Sequence, residues 1–281
     1  MVASALAAAA EHFGFTAQVL PRVECDITDA DAVKRQLGAA RPAWIMHTAA
    51  LTRVNYCEQH HDEAFAVNAE GTAHVVAAAQ ELNARLVYFS TDYVFDGCKR
   101  EPWLESDPPH PLNTYGLSKL AGEQVVQHYA RGHVVRTSGV FGPRADDQPE
   151  RNFFRALVPR LRNSAGNPEV VSDQHTAVTY APDLAEMVLR LLPGQLPPLV
   201  HLTSSGSNSW YHWARLAAAA LKLDPEQITP VTTAARGDPT PRPGYCVLGT
   251  EYEAAQELIA AHPAPAAVAT YVRQLPPGKD E

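Results

Sequence analysis

Two rhythms of apolar and polar residues alternate along the first half of the chain. Ala43-Trp44-Ile45-Met46-His47 is a short apolar run, and from about Glu58 to Leu82 the apolar residues recur at helical spacing. Leu86-Val87-Tyr88-Phe89-Ser90 is a second short run, Asn113 to Ala130 a second helical stretch, and His133-Val134-Val135-Arg136-Thr137 a third run. Such runs are apolar toward both faces, as strands are when helices cover both sides of a sheet. Their alternation with helices predicts parallel strands joined by crossovers. The opening Met1-Val2-Ala3-Ser4-Ala5-Leu6 reads as helix and lacks the basic region of a signal peptide.

Beyond Gly139 the regularity loosens. Segments rich in Gly, Pro, Asp and Asn (Gly142 to Pro149, Asn163 to Pro168, Pro193 to Pro198, Gly237 to Gly244) separate shorter elements. Ser209 is placed to N-cap a helix running through Trp210 and Trp213 to Leu223. The expected fold is α/β: a Rossmann-type doubly wound parallel sheet with a smaller C-terminal substrate lobe. Residues 1–140 form the core, with a return near 177–202, and residues 141–176 and 203–281 form the lobe.

Charge narrows the partners. With 23 basic and 31 acidic residues, the net charge of -8 opposes general affinity for nucleic acid or anionic membrane, both of which need a basic surface. A small anionic ligand in a local basic pocket is compatible with that sum, and so is a homodimer. No apolar run is long enough to span a membrane. Cys25, Cys57, Cys98 and Cys246 are far apart with no CxxC pair, which fits a reducing, cytoplasmic setting. The 12 histidines contain no HExxH, and no metal site is expected.

The clearest chemical signal is Tyr115-Gly116-Leu117-Ser118-Lys119. Residues four apart share a helix face, so a phenol and an ammonium can serve one site. Carbonyl reduction needs a hydride on one side and a proton donor on the other, and a nearby cation favours the ionised phenol. Upstream, Ser90-Thr91-Asp92-Tyr93-Val94-Phe95-Asp96-Gly97 begins where a strand should leave the sheet, the place where ligands bind in open α/β folds. The bland reading of Ser90 and Thr91 is turn formation.

STDYVFDG, then PWLESD, then PLNTYGLSKLAGE, in this order, resemble the signature block of the dTDP-4-dehydrorhamnose reductase family, which belongs to the extended short-chain dehydrogenases/reductases. HTAALTRVNYCE from His47, AFAVNAEGT from Ala64, VVRTSGVFG from Val134, Asn152-Phe153, VVSDQ from Val170, Ser209-Trp210-Tyr211 and Arg242-Pro243 extend the resemblance over nearly the whole chain. It implies NAD(P)H-dependent reduction of a 4-keto sugar nucleotide, with Thr91, Tyr115 and Lys119 as the catalytic set. Thr91 would hold the substrate oxygen and Tyr115 would give the proton. Lys119 would bind the nicotinamide ribose and lower the phenol's pKa. Adenine contacts would fall on Asp26 and Ile27, strand-end contacts on Ala49, Ala50, Leu51 and Thr52, and a further one on Asn68. NAD and NADP both stay open. The choice turns on the end of a second strand, where Arg22 would meet a 2′-phosphate or stay solvated.

Three departures stand out. The family's first strand and glycine-rich turn have no counterpart before Met1-Val2-Ala3, so the expectation is a sheet lacking that strand and its pyrophosphate cradle. The family's RTSW reads Arg136-Thr137-Ser138-Gly139. Its DQxGxPT loop reads Asp173-Gln174-His175-Thr176-Ala177-Val178-Thr179. Asp92-Tyr93 after Thr91, in place of Asp-Glu, disfavours a dehydratase. An epimerase remains an alternative, as does a non-catalytic subunit resembling the regulatory β subunit of methionine adenosyltransferase.

Overall fold

A computed structural model describes residues 1–143, 152–163, 167–194 and 196–276. Parts of three loop segments expected from composition, at 144–149, 164–166 and 195, lie outside the described residues.

The main sheet has four parallel strands in the order β1 (Trp44–His47), β2 (Arg85–Thr91), β3 (Gly132–Thr137) and the strand Leu199–His201. Parallel neighbours need long crossovers, which helices supply. After α1 (Val2–Ala10) and α2 (Ala30–Ala40), helices α3 (Val54–Gln59), α4 (His61–Phe65) and α5 (Gly71–Leu82) join β1 to β2. Helix α6 (Thr114–Gln127) joins β2 to β3. After β3 come α7 (Phe153–Arg162) and α8 (Ala181–Leu191), then the fourth strand, then α9 (Trp210–Ala220), α10 (Thr233–Arg236), α11 (Glu253–Ala261) and α12 (Ala264–Gln274).

The pleat of β2 sends alternate side chains to opposite cores. Leu86 and Tyr88 pack with Val33, Val75, Val76 and Val134, while Val87 and Phe89 pack with Leu6, Val135, Val188 and Val200. Each such side chain contributes about 1.5–3 kcal/mol when fully buried, so both layers hold β2 at the centre. A separate cluster around Phe141, Phe154, Trp213 and Tyr271 organises the C-terminal elements. Two residues of the main sheet's strands are arginines: Arg85 opens β2, and Arg136 lies inside β3. Arg136 in β3 is buried and forms a two-pronged pair with Glu123 of α6, at 2.9 and 2.7 Å, which neutralises both groups inside the fold.

Three expectations change in detail. The helical stretch expected from Glu58 to Leu82 is interrupted. His60 adopts φ -136°, ψ 64° between α3 and α4, and a π-helical turn at Ala66–Glu70 precedes α5. The Ser209 cap forms, its hydroxyl accepting from His212 N, but α9 ends at Ala220, and Lys222 just beyond has φ 60°. No second strand ends near Arg22. Residues 14–29 are irregular, with Val23 93% exposed, because an extended segment becomes a strand only by pairing and this one lies against no ladder. Among the described residues no helix is long and apolar enough to cross a membrane.

Candidate active site

The carboxyl end of β2 and the first turn of α6 are held together by local capping and one close approach. Thr91, the last residue of β2, accepts a hydrogen bond from Tyr93 N at 3.2 Å and so caps the short turn Asp92–Val94. Asn113 caps α6 by accepting from Gly116 N at 2.9 Å, and its amide donates to Pro241 O at 2.9 Å. Gly116 is required here: a Cβ would lie 2.2 Å from Tyr93 O. That contact seats the helix on the loop leaving β2, with the Tyr93 and Tyr115 rings edge to face at 5.8 Å.

One turn further along α6, Lys119 is 2% exposed. Its Nζ donates to Phe89 O at 2.8 Å and lies 3.9 Å from the centre of the Tyr88 ring. Burial lowers its pKa to about 7, against the pull of Glu123. Tyr115 moves the other way. Burial pushes the phenol well above its usual range, the Thr91 hydroxyl opposes this, and Asp92 and Tyr93 add to it. The expected lowering of the phenol pKa by Lys119 is therefore overridden by desolvation, and the ammonium is engaged with the strand-end carbonyl.

The segment after β1 is clamped by a residue seventeen positions away. Asn68 accepts from Leu51 N at 2.8 Å and donates to Leu51 O at 3.0 Å and Ser118 Oγ at 2.9 Å. Asn68 sits in the π-helical turn, an irregularity that redirects a side chain out of the helical ladder. Ala49, Ala50, Leu51 and Thr52 are thus fixed relative to α6, with Ala49 and Thr52 exposed. Beneath them His47 pairs with Thr72 Oγ1 at 3.0 Å. Burial, aided by Lys119, drops its pKa to about 3 and leaves the ring neutral.

Asp26 and Ile27 lie beside the first turn of α5, where His74 Nδ1 pairs with Ile27 O at 2.9 Å. Ile27 packs against Gly71, where an added Cβ would fall 2.9 Å from its side chain. Asp26 is exposed, binds the backbone and hydroxyl of Thr28 at 3.0 and 2.8 Å, and pairs with Arg22 at 3.2 Å. The Thr28 amide is the main cause of its lowered pKa.

Beside Thr91 and Tyr115 opens a cavity of about 300 Å³, whose other walls include Gly139, Phe153, Gln174, Thr176, Trp210 and Cys246. The departures from the RTSW and DQxGxPT patterns line this space. Gly139 has φ +49°, and a Cβ there would sit 3.0 Å from Ala177 O. Two groups assigned no role from sequence join the site. Asp92 is buried in the cavity wall. Arg242 donates to Tyr93 Oη at 3.3 Å, Asn55 Oδ1 at 2.8 Å and Asp238 at 3.0 Å, tying the later elements to α3. A strand-end position hints at the first; nothing local signals the second. Among the described residues no cluster of His, Cys, Asp and Glu could hold a metal.

A parallel sheet covered on both faces, with a threonine at a central strand end and YxxxK on the next helix, defines the class of extended short-chain dehydrogenases/reductases. Within it, the chain belongs to the family described as the RmlD substrate binding domain, whose model matches residues 1–276. It is 36% identical over 257 residues to a dTDP-4-dehydrorhamnose reductase of Mycolicibacterium smegmatis, covering 90% of this chain and 76% of that protein. To a dTDP-4-keto-6-deoxy-D-glucose reductase of Streptomyces niveus it is 36% identical over 232 residues, covering 82% and 78%. The crystal structure of dTDP-4-dehydrorhamnose reductase from Bacillus anthracis in complex with NADP superposes with a TM-score of 0.88 at 29% identity, covering 98% of this chain and 95% of that one.

Proposed function

We propose that this protein reduces a 4-keto-6-deoxy sugar nucleotide with NADH or NADPH. The observation that carries the reading is the meeting of Thr91, Tyr115 and Lys119 at the end of β2, with Thr91 and Tyr115 lining a cavity large enough for a sugar ring. The site also fits a dinucleotide. Among the described residues, Ser90 Oγ is the buried side-chain oxygen without a hydrogen-bond partner. Ser90 lies in β2 between Phe89, whose carbonyl anchors Lys119, and Thr91, and an orphaned buried hydroxyl is costly unless a ligand satisfies it.

When bound, the reduced nicotinamide supplies the hydride. Lys119 and Ser90 would face its ribose, Ala49 to Thr52 would offer backbone groups held in place by Asn68, and Asp26 with Ile27 would border the adenine. Thr91 orients the keto oxygen, and Tyr115 gives it a proton as negative charge develops. Burial keeps the phenol protonated at neutral pH, so the proton is in place when charge develops on the keto oxygen. The lobe formed by residues 141–176 and 203–281 would shape the sugar pocket. A regulatory subunit would not need Thr91 and Tyr115 together in a cavity wall with Lys119 one turn along the same helix.

The test is to mix the purified protein with NADPH or NADH and dTDP-4-dehydrorhamnose. Oxidation of one cofactor per sugar reduced is expected. An epimerase would change the sugar without net cofactor oxidation, and a purely regulatory protein would do neither; either result overturns the reading.

A further inference from the structure

We propose that Asp92 is the proton reservoir of this site, a buried carboxylic acid that reloads Tyr115 through the Thr91 hydroxyl after each reduction. The proposal rests on the reductase reading and adds the route by which its proton is replaced. Asp92 follows the strand-end threonine directly and is 4% exposed. Oδ1 lies 3.1 Å from Thr91 Oγ1, and Oδ2 accepts from Thr176 Oγ1 at 3.3 Å. Thr91, Asp92 and Tyr115 line one cavity, and the Thr91 hydroxyl that meets this carboxyl also lies near enough to the Tyr115 phenol to favour its ionised form. Among the described residues, the groups facing Asp92 carry no positive charge. They are the Thr176 hydroxyl, the Cys246 thiol and the Tyr93 and Tyr115 phenols, and burial raises the pKa of the thiol and of both phenols. The cations nearby are spoken for, Arg242 by Tyr93, Asn55 and Asp238, and Lys119 by Phe89 O. Burial without a cationic partner holds the acid form, and the Asp92 pKa rises to about 7 although its hydrogen bonds favour the carboxylate. A donor poised at working pH is what a proton relay needs.

The steps balance. The keto carbon would gain its new C–H bond from the hydride that a bound reduced nicotinamide would supply, the ring's own C–H bond breaking as the ring is oxidised. The Tyr115 O–H bond breaks as an O–H forms on the substrate oxygen. The Thr91 hydroxyl proton passes to the phenolate, and the Asp92 proton passes to Thr91 Oγ1. The carboxylate left behind takes a proton from solvent as product leaves. With Asp92 ionised the Thr91 hydroxyl donates to it; with Asp92 protonated the direction reverses.

The experiment compares wild type with Asp92→Asn, which keeps the shape and a hydrogen bond to Thr91 but has no acidic proton. Wild-type kcat should fall as pH rises through about 7. In Asp92→Asn that alkaline limb should vanish, with kcat down on the order of a hundredfold and KM little changed. Thr176→Val removes a hydrogen bond to the carboxylate, so the limb should move to higher pH. Infrared difference spectra should show a protonated carboxyl that titrates near neutrality in wild type and is missing from Asp92→Asn, a readout independent of turnover. Wild-type kcat and an unchanged limb in Asp92→Asn, or a carboxyl that titrates at ordinary acidic pH, would overturn the proposal. If no 4-keto sugar nucleotide is reduced even by wild type, the reductase reading falls, while the infrared titration still decides whether Asp92 carries a proton at neutral pH.

Discussion

The two ends of the proposed dinucleotide surface are built in opposite ways. At the β2–α6 end, Thr91, Asp92 and Lys119 are buried, and each polar group is either satisfied within the fold or left for a ligand. At the Asp26–Ile27 corner the carboxylate is exposed, and its partners Thr28 and Arg22 lie within four residues of it. At Asp26 local hydrogen bonds lower the pKa, whereas at the β2–α6 end burial produces the large shifts. Burial there drives the pKa of Lys119 down to about 7 and raises those of Asp92 and Tyr115. In water the same side chains would keep their ordinary values. Reactivity therefore concentrates where desolvation and geometry coincide, and the exposed corner is left to add affinity.

Four substitutions test that contrast. Tyr115→Phe should have the largest effect, a loss in kcat on the order of a hundredfold to ten-thousandfold. Cofactor affinity should hold, because the phenol rather than the ring is removed. Near-normal turnover in steady-state assays would remove Tyr115 from the mechanism.

Lys119→Met comes next and should lower cofactor affinity and turnover together. It also has a signature in stability. The folded pKa of Lys119, about 7, lies below the unfolded value of 10.5, so between these the unfolded chain binds the extra proton and wild-type stability rises with pH. At and below pH 7 wild type bears the full cost of a buried ammonium, on the order of a few kcal/mol. The methionine variant should melt higher there, and its advantage should shrink as pH climbs toward 10. Parallel melting curves of the two proteins against pH would place Lys119 in water.

Gly139→Trp restores the family's aromatic in the cavity wall. Its φ of +49° strains any side chain, and the Cβ meets Ala177 O at 3.0 Å. Left-handed backbone costs about 1–2 kcal/mol outside glycine, so catalytic efficiency on the native sugar should drop roughly tenfold and the melting temperature should fall with it. Comparing several 4-keto sugar nucleotides before and after the change reads this out; an equal response from all of them would take Gly139 off the pocket wall. Asp26→Asn should matter least. Exposed and locally bonded, it should alter stability by no more than about 0.5 kcal/mol and leave kcat alone, with a modest change in cofactor affinity by fluorescence titration. A large loss of kcat there would erase the contrast between the two ends.

The legible part of the site was the part encoded by short spacing. Tyr115 and Lys119 share a face because they are four apart on a helix, and Thr91 ends an apolar run, so its place at a strand terminus could be read directly. Asn68 could be named as a neighbour of the cofactor, but its clamp on Leu51 joins residues seventeen apart through a π-helical turn that no periodicity announces. The Glu123–Arg136 pair was hidden for the same reason, an acid on a helix meeting a base on the next strand. The segment 14–29 misled in the opposite direction, since the resemblance implied a strand ending near Arg22 and none forms.

The sequence by itself determined the alternation of strands and helices, the family, and which residue types meet at the end of β2, because each follows from local periodicity or from an ordered run of motifs. Only the tertiary structure decided that Asp92 is buried against Thr91 and Thr176, that the Lys119 ammonium rests on the Phe89 carbonyl, and that Gly139 and Tyr115 line one cavity. Those facts depend on how much water is excluded and on which carbonyl or hydroxyl lies across the gap. Both are set by packing between segments far apart in the chain.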